Sequence, residues 1–382
     1  MKRNLKFFVT LIVLLVLSGS LFAASQELTA DGKKNLRSAN MHLGGERYEK
    51  ALPLYESVIE ENPHHIIALE KTGSIYYNIK KDYLKARSLF IAAIQEINDV
   101  YAEYEELQKA DEKAADKFYN KEIKKEKLDM VLEQLKQFKD SCFDQLINAG
   151  KLKLQEEDYN GAIQIFTDVI NIIPDSTISY RLMALSYEKL EDTENSIRYF
   201  IKTVELDSTD IIARLKLANY YFNVKKYEEA GNMFLEAAGL EPENPDNFYN
   251  TGLAFMNAKK DSLAYNAFME SYKLSSPNMD VLVTLSNLAL KMDNNVESTK
   301  YLQEAVDLDR EDGEVNYPEY VSTLCYKLYG IKKFDELIKY GEIWHKLNPL
   351  SKEAVQMLYN ASKENNNKEL MSKYEKIYKQ LE

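Results

Sequence analysis

The sequence predicts an all-α fold in which pairs of helices stack one after another along the chain. A small residue recurs every 34 residues through the middle of the chain, at Ala162, Ser196, Ala230, Ala264 and Ser298. An aromatic residue stands four positions after each of the first four of these. Only 13 of the 382 residues are Gly and 8 are Pro, and no run alternates apolar and polar residues as a strand would. A fixed period of this length is the signature of a repeat protein.

One copy shows how each unit folds. Residues 227–245 read YEEAGNMFLEAAGLEPENP. Tyr227, Ala230 and Phe234 recur at three- and four-residue steps, so they lie on one face of a helix, and most of the Glu residues fall on the other face. Gly239 and Pro242 mark the end of the helix. The spacing therefore predicts an amphipathic helix that is followed by a turn.

The same register extends over most of the chain. The reference position is occupied by Ala51, Ala86, Ala162, Ser196, Ala230, Ala264, Ser298 and Leu337. Twelve residues earlier stand Ala39, Gly150, Ala184, Ala218, Gly252, Ser286 and Cys325, and Gly73 is one step further back. Twelve residues later stand Pro63, Pro174, Pro242 and Pro349. Small residues allow two helices to approach closely, aromatic side chains fill the space to the next pair, and Pro ends the second helix.

A 34-residue helix–turn–helix unit with these positions resembles the tetratricopeptide repeat. The resemblance covers roughly residues 32–349, although Leu146, Tyr180 and Leu282 stand where the family has a Trp. It implies a right-handed α-solenoid of about eight tetratricopeptide repeat helix pairs, because a single pair cannot bury its apolar face alone. We expect repeats 1–2 over residues 32–97, repeats 3–8 over residues 143–349, and a C-terminal capping helix pair over residues 350–382.

Residues 98–142 interrupt the repeats, since the step from Ala86 to Ala162 is 76 residues. Two arrangements fit this segment. In the first, it is a charged helical hairpin whose first arm runs to about Tyr119, turns near Asn120 and packs on the second arm as an antiparallel coiled coil. In the second, it is a degenerate extra repeat. The lack of a complete set of repeat positions favours the hairpin. The predicted apolar seam consists of Val100, Tyr104, Leu107, Ala114, Phe118, Leu128, Val131, Leu135 and Phe138.

Residues 1–25 have the pattern of a secretory signal peptide. Lys2, Arg3 and Lys6 precede an apolar run over residues 7–17, and residues 23–25 read AAS, which suits cleavage. An uncleaved anchor is the alternative, but the run is shorter than the ~20 residues that a membrane span needs. We therefore expect an exported protein without an integral membrane span after cleavage. Its predicted location is periplasmic or associated with the outer envelope, with secretion as a further destination.

The composition and the scattered reactive residues point away from catalysis. The formal net charge of −12 argues against binding of nucleic acid, which requires clustered basic residues. His64 and His65 are adjacent but have no further ligands at zinc spacing, His42 and His345 stand apart from them, and no phosphate loop or nucleophile motif is present. Cys142 and Cys325 fall in distant repeats, so we expect buried thiols and no disulfide. The sequence predicts no enzyme, no cofactor and no metal.

The family resemblance also implies a concave groove lined by the first helix of each pair. We count positions from residues 32, 66, 143, 177, 211, 245, 279 and 318. The sixth and ninth positions would then face the groove. The candidate polar residues there, with their basic neighbours, are Asn40, Lys71, Asn148, Lys151, Arg181, Asn219, Asn250 and Asn287. The twelfth position carries Phe222, Met256, Tyr77 and Tyr329, which are either apolar anchors for a partner or part of the core. Asn offers both donors and an acceptor, which suits an extended peptide backbone.

Three functions are consistent with these patterns. The first is a non-enzymatic scaffold of the cell envelope that binds an extended segment of a protein partner in its groove. The second is an accessory subunit of an envelope assembly or secretion complex that docks through the hairpin. The third is a small-ligand sensor or an enzyme-associated regulatory subunit.

Overall fold

The computed structural model describes residues 27–124, 127–276, 278–310 and 315–381. All regular secondary structure in these ranges is helical, which confirms the predicted all-α fold class. None of the helices in these ranges is both long and apolar enough to cross a bilayer. The segment predicted as a signal peptide lies outside the described residues. The chain divides into two compact units, Met1–Ser196 and Ile197–Glu382.

The first unit is built from helix pairs joined by short turns. Its helices are α1 (Ala30–Gly44), α2 (Tyr48–Glu61), α3 (Ile66–Ile75), α4 (Tyr83–Ala110), α5 (Glu112–Phe118), α6 (Leu128–Gln155), α7 (Tyr159–Ile172) and α8 (Thr177–Lys189). Both α3 and α5 continue as a π-helical turn, Tyr76–Lys80 and Tyr119–Lys124 respectively. The second helices α2 and α7 each pack on the first helix of their own pair and on that of the next pair.

The second unit repeats this arrangement, and its first residues belong to α9 (Thr193–Leu206). The other helices are α10 (Ile211–Asn223), α11 (Tyr227–Leu240), α12 (Pro245–Asn257), α13 (Asp261–Leu274), α14 (Met279–Lys291), α15 (Asn295–Asp309), α16 (Pro318–Gly330), α17 (Phe334–Leu347), α18 (Lys352–Glu364) and α19 (Lys368–Leu381). From α10 onward each helix packs on the next one along the chain, so the pairs form a continuous stack within this unit.

The turn inside a pair has one recurring backbone form. Between α10 and α11, Lys225 has a φ of 63°, and its N–H donates to the carbonyl of Phe222 at 3.0 Å. The N–H of Lys226 donates to the carbonyl of Tyr221 at 2.8 Å. This is a Schellman motif, whose left-handed residue is usually Gly. The equivalent left-handed residues in other pairs are Glu46, Glu157, Glu191, Lys259, Asp293, Lys332 and Asn366. None of these pairs therefore has Gly at the left-handed position of its turn.

Small residues let the helices of a pair approach until an aromatic ring covers the backbone. A Cβ atom on Gly150 would lie 2.4 Å from Cε1 of Phe166. A Cβ atom on Gly252 would lie 2.8 Å from Cδ2 of Phe268. Both rings are buried. The small and aromatic positions of the sequence repeat are thus the two sides of one contact.

Tyrosine hydroxyls link the second helices of the second unit. Tyr265 and Tyr272 of α13 donate to Glu297 and Glu304 of α15 at 2.6 and 2.5 Å. The same kind of bond joins Tyr340 of α17 to Asp307 of α15 at 2.7 Å, and Tyr374 of α19 to Glu342 of α17 at 2.6 Å. These bonds connect neighbouring pairs, so hydrogen bonds to carboxylates supplement the apolar contacts between the pairs.

Across residues 98–142 the helices α4 and α6 pack against each other as a helical hairpin. Tyr101 of α4 donates to Asp129 of α6, and the ring of Phe90 stacks on that of Phe138 with 5.5 Å between centroids. Residue numbers rise along one arm while they fall along the other, so the arms are antiparallel. The predicted seam forms one cluster of buried and half-buried residues, Val100, Tyr104, Leu107, Ala114, Phe118, Leu128, Val131, Leu135 and Phe138.

The tip of the hairpin differs from the prediction. The first arm ends at Ala110, where a helix to about Tyr119 was expected. The reason is Asp111, which adopts an extended conformation and accepts hydrogen bonds from the backbone N–H groups two and three residues later, both at 3.1 Å. It thereby caps the short helix α5. The π-helical turn continues through Asn120 to Lys124, so the chain does not turn back at Asn120 as predicted.

The two cysteines are buried thiols. Cys142 and Cys325 are both fully buried and unpaired. Burial raises the pKa of the Cys142 thiol to about 11 and that of the Cys325 thiol to about 12. Both are therefore protonated at neutral pH and serve as small core residues.

Candidate functional site

The first helices of the pairs expose one face to solvent. In the first unit α6 contacts α8, and in the second unit α16 contacts α18, so first helices lie side by side. On α10 the second, ninth and thirteenth positions, which are Ile212, Asn219 and Asn223, are all exposed. These positions lie within 60° of one another around an ideal helix of 100° per residue. We call the surface that is formed by these and the neighbouring exposed positions of the first helices the first-helix face.

The four predicted residues of the first unit differ in their exposure and in whether they already have a partner within the chain. Asn148 and Lys151 on α6 are exposed. Asn40 is also exposed, but its Oδ1 accepts a hydrogen bond from the Tyr55 hydroxyl at 2.6 Å. Lys71 is half-exposed and forms an ion pair at 2.8 Å with the carboxylate next to it in sequence. Two of these four side chains therefore already have partners within the chain.

Arg181 does not belong to the same set. Counting from residue 177 places Arg181 at the fifth position of its pair, whereas the sixth is Leu182 and the ninth is Leu185. Leu182 is buried and Leu185 is half-buried, so this pair presents no polar residue at the two predicted positions. The inclusion of Arg181 among residues at the sixth and ninth positions was wrong.

The second unit brings the asparagines together on successive first helices. Asn219 lies on α10, Asn250 on α12 and Asn287 on α14. Asn219 and Asn287 are exposed and Asn250 is half-buried. The amide nitrogen of Asn219 donates to the carbonyl of Leu215 at 2.9 Å, within its own helix. The side-chain oxygen of Asn219 is by its chemistry a hydrogen-bond acceptor.

Phe222 and Met256 take part in the core. The ring of Phe222 packs edge-on against Tyr227 with 5.2 Å between centroids, and both rings belong to the contacts between α10 and α11. Met256 packs against the cluster that contains Phe268 and Leu282. Both side chains remain half-exposed, so each has one edge in the core and one edge on the surface.

Neither Leu290 at the twelfth position nor a row of acids at the second position of the second unit was named from the sequence. The twelfth position continues on α14 with Leu290, which is 45% exposed, and on α16 with Tyr329, which is 41% exposed. The second position carries exposed acids on four first helices, Asp246, Asp280, Glu319 and Glu353. Counting every residue type by register would have found Leu290 and the acidic row.

A cavity of about 420 Å³ lies between α15 and the turn that precedes α17. Most of its charged lining is already engaged. Glu304 and Asp307 accept hydrogen bonds from Tyr272 and Tyr340, and Lys333 pairs with a carboxylate of α17 at 3.1 Å. This cavity offers less for recognition than the first-helix face. Among the described residues there is also no cluster of three or more His, Cys, Asp or Glu side chains placed to hold a metal ion.

Comparison with known proteins supports the repeat assignment. Two family models described as Tetratricopeptide repeat match residues 36–99, and residues 179–210 and 212–244. The TPR repeat-containing protein MJ1428 of Methanocaldococcus jannaschii is 25% identical over 211 residues, which is 55% of this chain and 32% of that protein. The chain thus matches about a third of the length of this relative.

Solved structures with a similar fold cover parts of the chain. A crystal structure of MamA has 19% identity and a TM-score of 0.35, and the match covers 43% of this chain and 95% of that one. YrrB, described as a TPR protein with an unusual peptide-binding site, has 19% identity and a TM-score of 0.35 over 48% and 92% of the two chains. PilF of Pseudomonas aeruginosa has 23% identity and a TM-score of 0.34 over 57% and 96%.

Proposed function

Because this chain is a tetratricopeptide repeat protein, we propose that it is a non-enzymatic scaffold that binds an extended segment of a protein partner on the first-helix face. The observation that carries the proposal is the recurrence of Asn on successive first helices of the second unit. Asn219, Asn250 and Asn287 present carboxamide groups from α10, α12 and α14 at the sixth or ninth position.

Carboxamides suit an extended backbone as a ligand. Each residue of such a segment carries one N–H donor and one C=O acceptor that need partners once water is removed. An Asn side chain supplies both functions, and its orientation can adapt to either group. The amide nitrogen of Asn219 donates within its own helix, and the side chain of Asn287 is exposed. A row of such groups holds a backbone in place without selecting its side chains.

The nucleophilic groups of the described core fit a binding role better than a catalytic one. Both thiols are buried and hold a raised pKa, so neither provides a thiolate at neutral pH. Tyr265 and Tyr340 also hold raised pKa values, chiefly through burial, and their hydroxyls donate to carboxylates of neighbouring pairs. These thiol and hydroxyl groups therefore take part in the packing of the repeats.

The proposal places the scaffold in the cell envelope. Its support is the sequence of residues 1–25, with its basic start, apolar run and small residues before the predicted cleavage site. The test is fractionation of cells that express the full chain or a chain without these residues. Recovery of the full chain in the cytosol, at its unprocessed mass, would overturn the envelope location.

The binding site is tested by a crosslinking pull-down from the envelope fraction. One bait carries Asn219→Ala, Asn250→Ala and Asn287→Ala. A matched control carries Asn160→Ala, Asn232→Ala and Asn266→Ala, which remove three exposed Asn side chains from second helices. We expect a partner that the parent and the control capture and that the first variant loses while its helical circular dichroism is unchanged. Equal capture by both variants would refute the assignment to this face.

The hairpin supports a second candidate function, docking as an accessory subunit. Met130 on α6 is 68% exposed, which is unusual for a large apolar side chain on an otherwise charged arm. The antiparallel register places residue 97 level with residue 132, so residues 98–131 can be replaced by a short Gly-Ser loop. This variant keeps Leu135 and Phe138 in the core. Loss of the partner from this variant, with capture by the triple Asn variant intact, would favour the hairpin.

A further inference from the structure

We propose that the outer face of α1 docks on a phospholipid bilayer whose headgroups are anionic. This inference goes beyond the proposed function, because it concerns the first unit and a partner that is not a protein. It rests on one stripe of exposed side chains, on the lack of ion pairs around these side chains within the described chain, and on the segment that precedes α1 in the sequence.

The stripe lies on the side of α1 that points away from α2. Its exposed members are Lys33, Lys34, Arg37 and Met41. At about 100° per residue these positions fall within a sector of about 100°, and the buried Ala39 lies on the opposite side of the helix. α1 packs on α2, and no helix of the described residues precedes it. The stripe therefore faces solvent within the described chain.

The bases of the stripe are not neutralised by the described chain. No carboxylate of a described residue forms an ion pair with Lys33, Lys34 or Arg37. α1 contains a single acid, Asp31, which lies about 120° from Arg37 around the helix. The chain as a whole has a formal net charge of −12, so the stripe is a local reversal of sign. A group of unpaired bases aligned on one face of an acidic protein indicates an anionic partner.

The C-terminal end of the stripe adds a further base and an apolar side chain. Arg47 is exposed, and its Nε lies 3.2 Å from the position that a Cβ on Gly45, the residue after α1, would take. Met41 is 60% exposed. Anionic headgroups bind bases, and the acyl chains below them accept an apolar side chain. A bilayer therefore satisfies both kinds of side chain, whereas an acidic protein surface satisfies the bases alone.

The preceding sequence brings α1 close to a bilayer. Residues 1–25 contain the apolar run over residues 7–17, which is expected to enter a membrane during export. From residue 17, where this run ends, to Ala30, where α1 begins, the chain advances by 13 residues. Such a stretch spans at most about 45 Å when it is fully extended. The export proposed above would therefore hold α1 within that distance of the bilayer.

The acidic remainder of the chain does not prevent the contact at physiological salt. The Debye length is about 8 Å at about 0.15 M, so carboxylates that lie farther than this from the headgroups are largely screened. From Lys33 to Gly45 the stripe extends over about 18 Å of helix, which is long enough to meet more than one headgroup. Each base near an anionic surface strengthens binding by roughly fivefold, so the three bases of α1 together contribute roughly a hundredfold.

The experiment measures co-sedimentation of the purified chain with lipid vesicles. The chain begins at residue 26, so it retains every described residue and lacks the apolar run over residues 7–17. One set of vesicles contains phosphatidylcholine alone, and the other contains phosphatidylcholine mixed with phosphatidylglycerol. We expect binding to the second set only, with an affinity that falls as the salt concentration is raised.

The stripe variant is Lys33→Gln, Lys34→Gln and Arg37→Gln. We expect it to bind the phosphatidylglycerol vesicles roughly tenfold to a hundredfold more weakly than the parent. Met41→Ser should cause a smaller loss of affinity that does not depend on salt, because its contact with the acyl chains is apolar. Helical circular dichroism should be unchanged in both variants, since all four side chains are exposed.

The matched control is Lys346→Gln, Lys352→Gln and Lys363→Gln. These changes remove three exposed bases of the second unit that also lack an ion pair within the described chain. The control and the stripe variant therefore have the same net charge. We expect the control to bind both sets of vesicles as the parent does.

Three results would overturn the inference. Equal losses in the stripe variant and the control would show that net charge alone governs the interaction. Equal binding of the parent to both sets of vesicles would show that the headgroup charge is not recognised. If neither set is bound, the stripe does not dock on a bilayer, and loss of a protein from the envelope pull-down of the stripe variant would assign it to an acidic protein. The triple Asn variant tests the first-helix face separately from all of these.

Discussion

The contact between Gly252 and Phe268 allows a quantitative test of how the repeats pack. In Gly252→Ala the new Cβ would lie 2.8 Å from Cδ2 and Cε2 of Phe268, and 2.9 Å from Cγ. Carbon atoms pack best at about 3.5–4.0 Å, so the overlap amounts to about 1 Å. The ring is buried, so the strain must spread into the neighbouring helices. Overpacking of this kind costs about 1–3 kcal/mol.

Helix propensity acts in the opposite direction. Ala is favoured over Gly by up to about 1 kcal/mol in a helix. We therefore expect Gly252→Ala to lower the free energy of unfolding by up to about 2 kcal/mol, the difference between the two effects. Gly239→Ala is the matched control, since no atom lies within 4 Å of a Cβ placed there. It should show the propensity gain alone and raise the stability.

The assay is urea unfolding of each variant, followed by far-UV circular dichroism. Phe268→Leu combined with Gly252→Ala should cost less than the sum of the two single changes, because the shorter side chain relieves the overlap. Equal stability changes in Gly252→Ala and Gly239→Ala would show that the ring does not limit the approach of the helices, and the packing argument would be refuted.

Three further outcomes follow from the fold. Lys225→Gly should raise the stability by up to about 1 kcal/mol, because the left-handed backbone there disfavours residues with a Cβ, whereas Lys226→Gly next to it should lower the stability. The hydrogen bond to Glu304, together with burial, raises the pKa of Tyr272 from 10.0 to about 12. The contribution of the Tyr272 hydroxyl to the free energy of unfolding is therefore complete below pH 10 and is lost as the pH rises toward 12. Alkaline unfolding should consequently be less steep in Tyr272→Phe. Replacement of residues 98–131 by a short loop should leave the helical circular dichroism per residue unchanged, and collapse of the whole spectrum would show that the hairpin is required for folding.

The repeat architecture could be predicted because its contacts are periodic in sequence. A small residue such as Gly150 and an aromatic residue such as Phe166 each recur at one position, and the structure shows that they touch. The seam of the hairpin was predictable for the same reason, since Leu107 and Leu135 follow a helical spacing and are buried. The end of α4 could not be predicted in this way, because it depends on one side chain, Asp111, that caps the next helix.

The turn between paired helices shows another limit of sequence reasoning. A left-handed residue is normally recognised by Gly, yet Glu157, Lys225 and Asn366 occupy this position. The backbone there is imposed by the packing of the helices on either side, and the residue type carries no signal. Tertiary contacts of this kind are invisible to a pattern of residue types.

The candidate site was predicted only in part. Register counting placed Asn219 and Asn287 at positions where the structure exposes them. It could not show that Asn40 is engaged by Tyr55, because that hydrogen bond joins two helices. The acidic row was readable from the sequence, because its members share the second position of their repeats.

The measurement that tests the account most directly is site-specific photocrosslinking in cells. A photoreactive amino acid is placed at Asn219 or Asn287 on the first-helix face, at Asn232 or Asn266 on second helices, and at Met130 on the hairpin. If the face binds the partner, the first two positions yield the same crosslinked protein and the other three do not. Crosslinks from the second helices or the hairpin, with none from Asn219 and Asn287, would contradict the assignment of the binding surface.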